Sequence, residues 1–157
     1  MLDYIFLLFQ KKRMKMKTYI AAISMVVLLF TLSSLAKGMV SESPENAELY
    51  FIQPTNGETV KRNFVVKFGL KNMGVAPAGT DRKNTGHHHL LIDTDVPLDM
   101  TKPLPATNKI KHFGGGNTET EISLSPGKHT LQLILGNHVH IPHNKPVISK
   151  IITIEVK

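Results

Sequence analysis

"NFVVKFGL", residues 63 to 70, alternates along its length. Phe64, Val66, Phe68 and Leu70 fall on one face, and Lys67 falls on the other. Neighbouring side chains of an extended chain point to opposite sides, so a period of two predicts a strand with one buried face. Similar runs flank it: ELYFIQ (48–53), HHHLLID (87–93), TETEISL (118–124), HTLQLILG (129–136) and VISKIITIEV (147–156). Pro54-Thr55-Asn56-Gly57 and Ser125-Pro126-Gly127 punctuate them as turns. His129, Leu131, Leu133 and Leu135 share one face of their strand. No stretch carries a helical period with caps. The expected fold is all-β: an antiparallel, immunoglobulin-like β-sandwich of about seven strands. The connections 71–86 and 94–117 are long for a compact domain, so each is expected to hide a short strand or a functional loop.

The start of the chain reads differently. KKRMKMK (11–17) is strongly basic, TYIAAISMVVLLFTL (18–32) is apolar and uncharged, and Ser33-Ser34-Leu35-Ala36 follows. That order predicts a secretory signal peptide over 1–36, cut after Ala36. Its apolar run is short of the roughly 20 residues that a membrane span needs. The first ten residues, MLDYIFLLFQ, fit no signal pattern, so Met14 and Met16 are alternative starts, with 1–13 then a mis-called extension. Residues 37–47, KGMVSESPENA, read as a flexible leader, and 48–157 as a single domain. The location expected is the periplasm or the exterior, with no membrane anchor left after cleavage.

Charge supports that division. The 157 residues carry 19 basic and 12 acidic side chains, net +7. Without residues 1–36 these fall to 14 and 11, net +3. The basic excess therefore sits mostly in the targeting segment, and nucleic acid is not an expected partner. There is no cysteine. Disulfides, thiol catalysis, zinc-thiolate sites and a lipoprotein anchor are all excluded.

Eight histidines lie beyond residue 36: His87, His88, His89, His112, His129, His138, His140 and His143. On a strand, His87 and His89 point one way with Leu91 and Asp93, and His88 points the other way with Leu90 and Ile92. Two residues of strand separate the Cβ atoms of such a pair by roughly 6 to 7 Å. That spacing lets two imidazoles converge on one ion at metal–nitrogen bonds of about 2.0 to 2.1 Å. NHVHIPH (137–143) repeats the pattern with His138 and His140, and His143 follows a proline. The expected metal ligands are His87, His89, His112, His138, His140 and His143. An all-nitrogen set suits copper(II) or zinc.

The rival reading keeps the same residues without a metal. The imidazoles would bond one another, Asp93 and loop carbonyls, in a structural or protein-interaction module of the cell envelope. His88, on an apolar face, and His129, at the start of a core strand, are expected to be structural under both readings.

Other candidates are weaker. Gly114-Gly115-Gly116 lacks the phosphate-loop lysine and precedes a strand, so it reads as a tight turn. Asp93, Asp95 and Asp99 do not match an EF-hand loop. No serine sits in a nucleophile-elbow context. Glu119 and Glu121 share a solvated strand face. The expectation is a binding protein and not an enzyme.

Several unusual strings recur together: KFGLKNMGVAPAG (67–79), NTGHHHLLID (84–93), KHFGGGNTETEISLSPGKHTLQLILGNHVHIPH (111–143) and KPVISKIITIEV (145–156). Together they resemble the bacterial DUF4399 family over roughly residues 49 to 156. The resemblance implies a small exported protein with one β-rich domain. It implies no activity. All eight histidines fall inside the matching strings.

Overall fold

In β3 (Asn63–Lys71) the alternation becomes burial: Phe64, Val66 and Phe68 are buried, and Asn63 and Val65 between them are exposed. The computed structural model describes residues 39–97 and 99–157. The expected signal segment lies outside them.

The remaining strands are β1 (Glu48–Gln53), β2 (Thr59–Val60), β4 (Gly74–Val75), β5 (Thr85–Ile92), β6 (Ile110–His112), β7 (Glu119–Ser123), β8 (Gly127–Gly136) and β9 (Ile152–Val156). The fold is all-β. β4 and β6 occupy the two long connections. The final run was expected to be strand from 147, but β9 begins only at Ile152. Before it, Ile148 makes a single bridge to Ile134.

Two sheets form. One is three-stranded, in the order β1-β3-β7. The other runs β2-β9-β8-β5-β4, with β6 also paired to β5. Most pairs are antiparallel, but β2–β9 and β4–β5 are parallel. The expected antiparallel architecture is therefore corrected to a mixed one. The two-residue strands β2 and β4 are too short to show alternation, so sequence could not reveal their direction.

β5 is bonded along both edges. β8 pairs with it from His87 opposite Gly136 to Ile92 opposite Leu131. The other edge is shared by β4, at Thr85 and Gly86, and by β6, at His89 to Leu91. Its two faces enter different apolar clusters. Leu90 and Ile92 join Phe64, Val66 and Phe68 of the smaller sheet, with Leu131, Leu133, Leu135, Ile152, Ile154 and Val156. Leu91 turns the other way and packs with Ile134, Ile110 and Leu104. Leu104 comes from the 94–109 connection, which thereby covers part of the outer face.

The described part of the expected leader 37–47 is fastened to the 137–145 region. The Asn137 side-chain amide donates to the Met39 carbonyl and to Ser41 Oγ at 2.7 and 3.1 Å. The Asn144 backbone N–H donates to the Ser41 carbonyl at 3.0 Å. Ser43 donates through its N–H to Asn144 Oδ1 and through its hydroxyl to the Lys145 carbonyl. Among the described residues no helix is long and apolar enough to cross a membrane.

Leu133 has no exposed surface and lies where the two sheets meet. Leu133→Ala is expected to cost about 2 to 5 kcal/mol, from lost burial plus a cavity. Urea unfolding checks this, with the half-exposed Val65→Thr as a control expected to change stability by under about 0.5 kcal/mol.

Candidate metal centre

The outer face of β5 carries His87 and His89, and neither has any exposed surface. Both sit where Leu91 would predict apolar neighbours. Instead the surrounding rings are other imidazoles. Cross-strand register supplies the first: His112 on β6 lies directly opposite His89. Directly opposed residues of an antiparallel pair share a face. The His112 ring stands 5.0 Å from both His87 and His89, centroid to centroid. His140 arrives from the loop after β8. Its ring is 5.0 Å from His87, 4.6 Å from His112 and 6.2 Å from His89. His87 and His89 themselves are 4.9 Å apart.

Glycines make the space. Gly136 is the β8 partner of His87, and a Cβ there would come within 2.8 Å of His89 Cε1 and 3.3 Å of the His140 Cα. A Cβ on Gly114 would strike the His112 ring, 2.7 Å from Nε2. Glycine inside a strand often marks such a close approach. LILG and HFGGG carried this signal, but the partner rings could not be read from it.

The loop is shaped by Asn137, which is buried. Its side-chain carbonyl accepts from the Val139 and Ile141 amides, each at 3.0 Å. Its backbone carbonyl accepts from the His140 N–H at 2.8 Å, and its own N–H donates to the Ile141 carbonyl. His140 takes a left-handed conformation, φ +69°. That bend throws its ring back over β5. Two neighbouring loops are tied to the same turn: Gly79 N–H donates to the His138 carbonyl, and Leu104 N–H donates to the His140 carbonyl.

The electrostatics favour neutral imidazoles. Burial, followed by repulsion from neighbouring histidines, lowers His87 to about 4 and His89 to about 3. Burial and then His140 lower His112. All three are therefore lone-pair donors at neutral pH, as metal ligation requires. Both ring nitrogens of His87 and both of His89 are buried without a hydrogen-bond partner among the described residues. Buried polar groups are nearly always bonded, and each orphan costs roughly 1 to 3 kcal/mol.

His87, His89 and His112 could hold a metal ion: one ligand nitrogen from each lies within 4.8 Å of the others. Tetrahedral ligands on bonds of about 2.0 to 2.1 Å sit about 3.4 Å apart, so the rings must close inward. His87 and His89 are fixed by the sheet. His112 is exposed and is the side chain free to swing.

The other histidines serve elsewhere. His88 faces the inter-sheet core, against Phe68 at 5.1 Å, and its Nδ1 meets the Asn117 carbonyl at 3.2 Å. Burial lowers its pKa to about 4. His138 pairs with Asp81 at 3.5 Å. His143 is buried with Nε2 3.1 Å from the Thr85 carbonyl. The structure thus brings four of the six expected ligands together and places His138 and His143 on other partners. His129 lies between two acceptors, Asp93 Oδ2 at 2.7 Å and the Ser125 carbonyl at 2.8 Å. Desolvation opposes its charge, but those two bonds outweigh it and raise its pKa. It clamps the end of β5 to β8.

A family model described as a domain of unknown function, DUF4399, matches residues 66–157. This chain belongs to the DUF4399 family. The match spans β5 to β9 and every histidine of the DUF4399 domain. No curated protein matches the chain. A solved structure with some likeness is the X-ray structure of the endo-beta-1,4-mannanase from Thermotoga petrophila, at 20% identity and TM-score 0.42. That alignment covers 74% of the DUF4399 chain and 21% of the mannanase, so the chain spans about a fifth of that protein's length.

Four buried histidines with lowered pKa values, His87, His88, His89 and His143, impose an acid dependence. Their folded values lie below the ordinary 6.5, so the unfolded chain takes up protons first as pH falls. Stability is therefore full above pH 6.5 and declines toward pH 4. With chelator present, the urea midpoint should drop across that window. It should drop less in His87→Leu/His89→Leu, which removes two of the four groups. Equal slopes would show that these imidazoles are not the source.

Proposed function

We propose that this protein is an exported domain that binds a transition metal, copper first and zinc second, for carriage or buffering. His87, His89, His112 and His140 are the proposed ligands. The observation that carries the reading is the set of four buried ring nitrogens on His87 and His89 that no group among the described residues satisfies. An ion would use one nitrogen of each ring and offset that desolvation. A hydrogen-bonded histidine network, the rival reading, predicts bonds at His87 and His89, and none are found there among the described residues. His129 does show that pattern, with both nitrogens bonded; His88 and His143 keep one bond each and leave one nitrogen unsatisfied, whereas His87 and His89 have a bond at neither nitrogen among the described residues.

The metal preference follows from the donors. A site of imidazole nitrogens without sulfur suits copper(II) or zinc, and the general affinity order puts copper(II) highest. Near pH 7 the buried ligands are already deprotonated, so little proton release should accompany binding. Export to the periplasm or exterior, behind a cleaved signal peptide, is part of the proposal and rests on the order basic, apolar, small in residues 11–36. So is an immunoglobulin-like arrangement of the two sheets, which rests on the core they share. The proposed role is binding.

The test is calorimetric titration of the purified protein with Cu(II) and with Zn(II), and native mass spectrometry for stoichiometry. One ion per chain is expected. His87→Ala/His89→Ala should abolish tight binding. His138→Ala should leave affinity within about threefold of wild type, well short of the roughly 10- to 100-fold that losing even a ligand's supporting partner costs. Wild-type binding no tighter than that of His87→Ala/His89→Ala would overturn the proposal.

A further inference from the structure

The segment 39–45 makes an unusual investment for a leader. It contributes no strand, yet it is tied at several points to the loop that carries His140. Four of these ties are side-chain hydrogen bonds: Asn137 to Met39 and to Ser41, and Ser43 to Asn144 and to Lys145. A fifth is the Asn144 N–H on the Ser41 carbonyl, and a sixth is the ion pair between Glu45 and Lys145.

Asn137 is where the two halves meet. Its carbonyl oxygen holds the Val139 and Ile141 amides, which shapes the turn on either side of His140. Its amide nitrogen holds the leader. An amide group can accept at one end and donate at the other only in a single orientation. The leader bonds therefore select the orientation in which Asn137 braces His140. Removing them frees the amide to rotate, and the left-handed backbone of His140, disfavoured for a residue with a Cβ, loses its brace.

We propose that residues 39–45 are a strap that sets the position of His140 through Asn137, so that the leader controls the fourth ligand of the metal centre. Ser41, Ser43 and Asn137 are positioning residues. This rests on the metal-binding reading above and adds a control element remote in sequence from every ligand.

The test variant deletes residues 39–45, which removes all six ties. Two measurements are made. Hydrogen exchange on the metal-free protein should show faster exchange at the Val139 and Ile141 amides, with the β8 and β9 amides unchanged. Zinc titration should show affinity lowered about tenfold, the usual cost of losing a ligand's outer support. In a His140→Ala background the same deletion should have no further effect on zinc affinity. With Cu(II), the paramagnetic resonance spectrum of the strap variant should shift toward that of His140→Ala.

Unchanged exchange at Val139 and Ile141 would overturn the strap. So would an equal loss of zinc affinity with and without His140, since that would mark a general loosening. If the wild-type protein binds neither ion, the metal reading falls, and the exchange measurement still decides whether the strap orders the loop.

Discussion

β5 is hydrogen-bonded along both edges, to β8 on one side and to β4 and β6 on the other. A strand held this way cannot slip by one residue without moving every side chain to the opposite face. Its alternation is thus fixed. Leu90 and Ile92 must complete the core between the sheets, and His87 and His89 must then lie on the outer face with Leu91. The position of the histidines follows from where the leucines have to go. The register with β6 does the rest, since it sets His112 against His89.

This arrangement is costly for a metal-free protein. A buried imidazole is tolerated most easily when its nitrogens find partners, as the half-buried His129 does on the Asp93 carboxylate and the Ser125 carbonyl. Among the described residues His87 and His89 have none. Burial keeps them uncharged, which lowers the penalty without removing it. Gly136 and Gly114 deepen the cost by giving up side chains that would otherwise fill the same volume. A fold that spends stability in one place commonly does so for function.

Much of this was legible from residue order alone. The alternation of NFVVKFGL and HTLQLILG gave the core faces, and the alternation of HHHLLID separated His88 from its neighbours. The same reasoning failed at NHVHIPH. His138 and His140 are spaced like a strand pair, but the backbone there is a turn, and His140 adopts a left-handed conformation. The two rings therefore diverge, one toward Asp81 and one toward His87. Periodicity speaks only for regular backbone. Nor could sequence show that Lys111-His112 would pair with Leu90-His89, because a three-residue strand carries no period of its own. The fastening of residues 39–45 was hidden for a related reason: polar, proline-containing segments look alike whether they hang free or are bonded to a distant loop.

That fastening also sets an order in time. Ser43 and Asn144 are 101 positions apart. Contacts so distant in sequence form late, because the intervening chain must first be organised. β5 and β8 can zip together before the leader finds its loop. The histidine centre would then mature in two stages, with its sheet-borne half present first and its loop-borne half arriving at the end. A chain still emerging from the ribosome has its leader but not yet residues 137–145, and so holds an incomplete centre. In the proposed reading, ion capture would wait for that second stage.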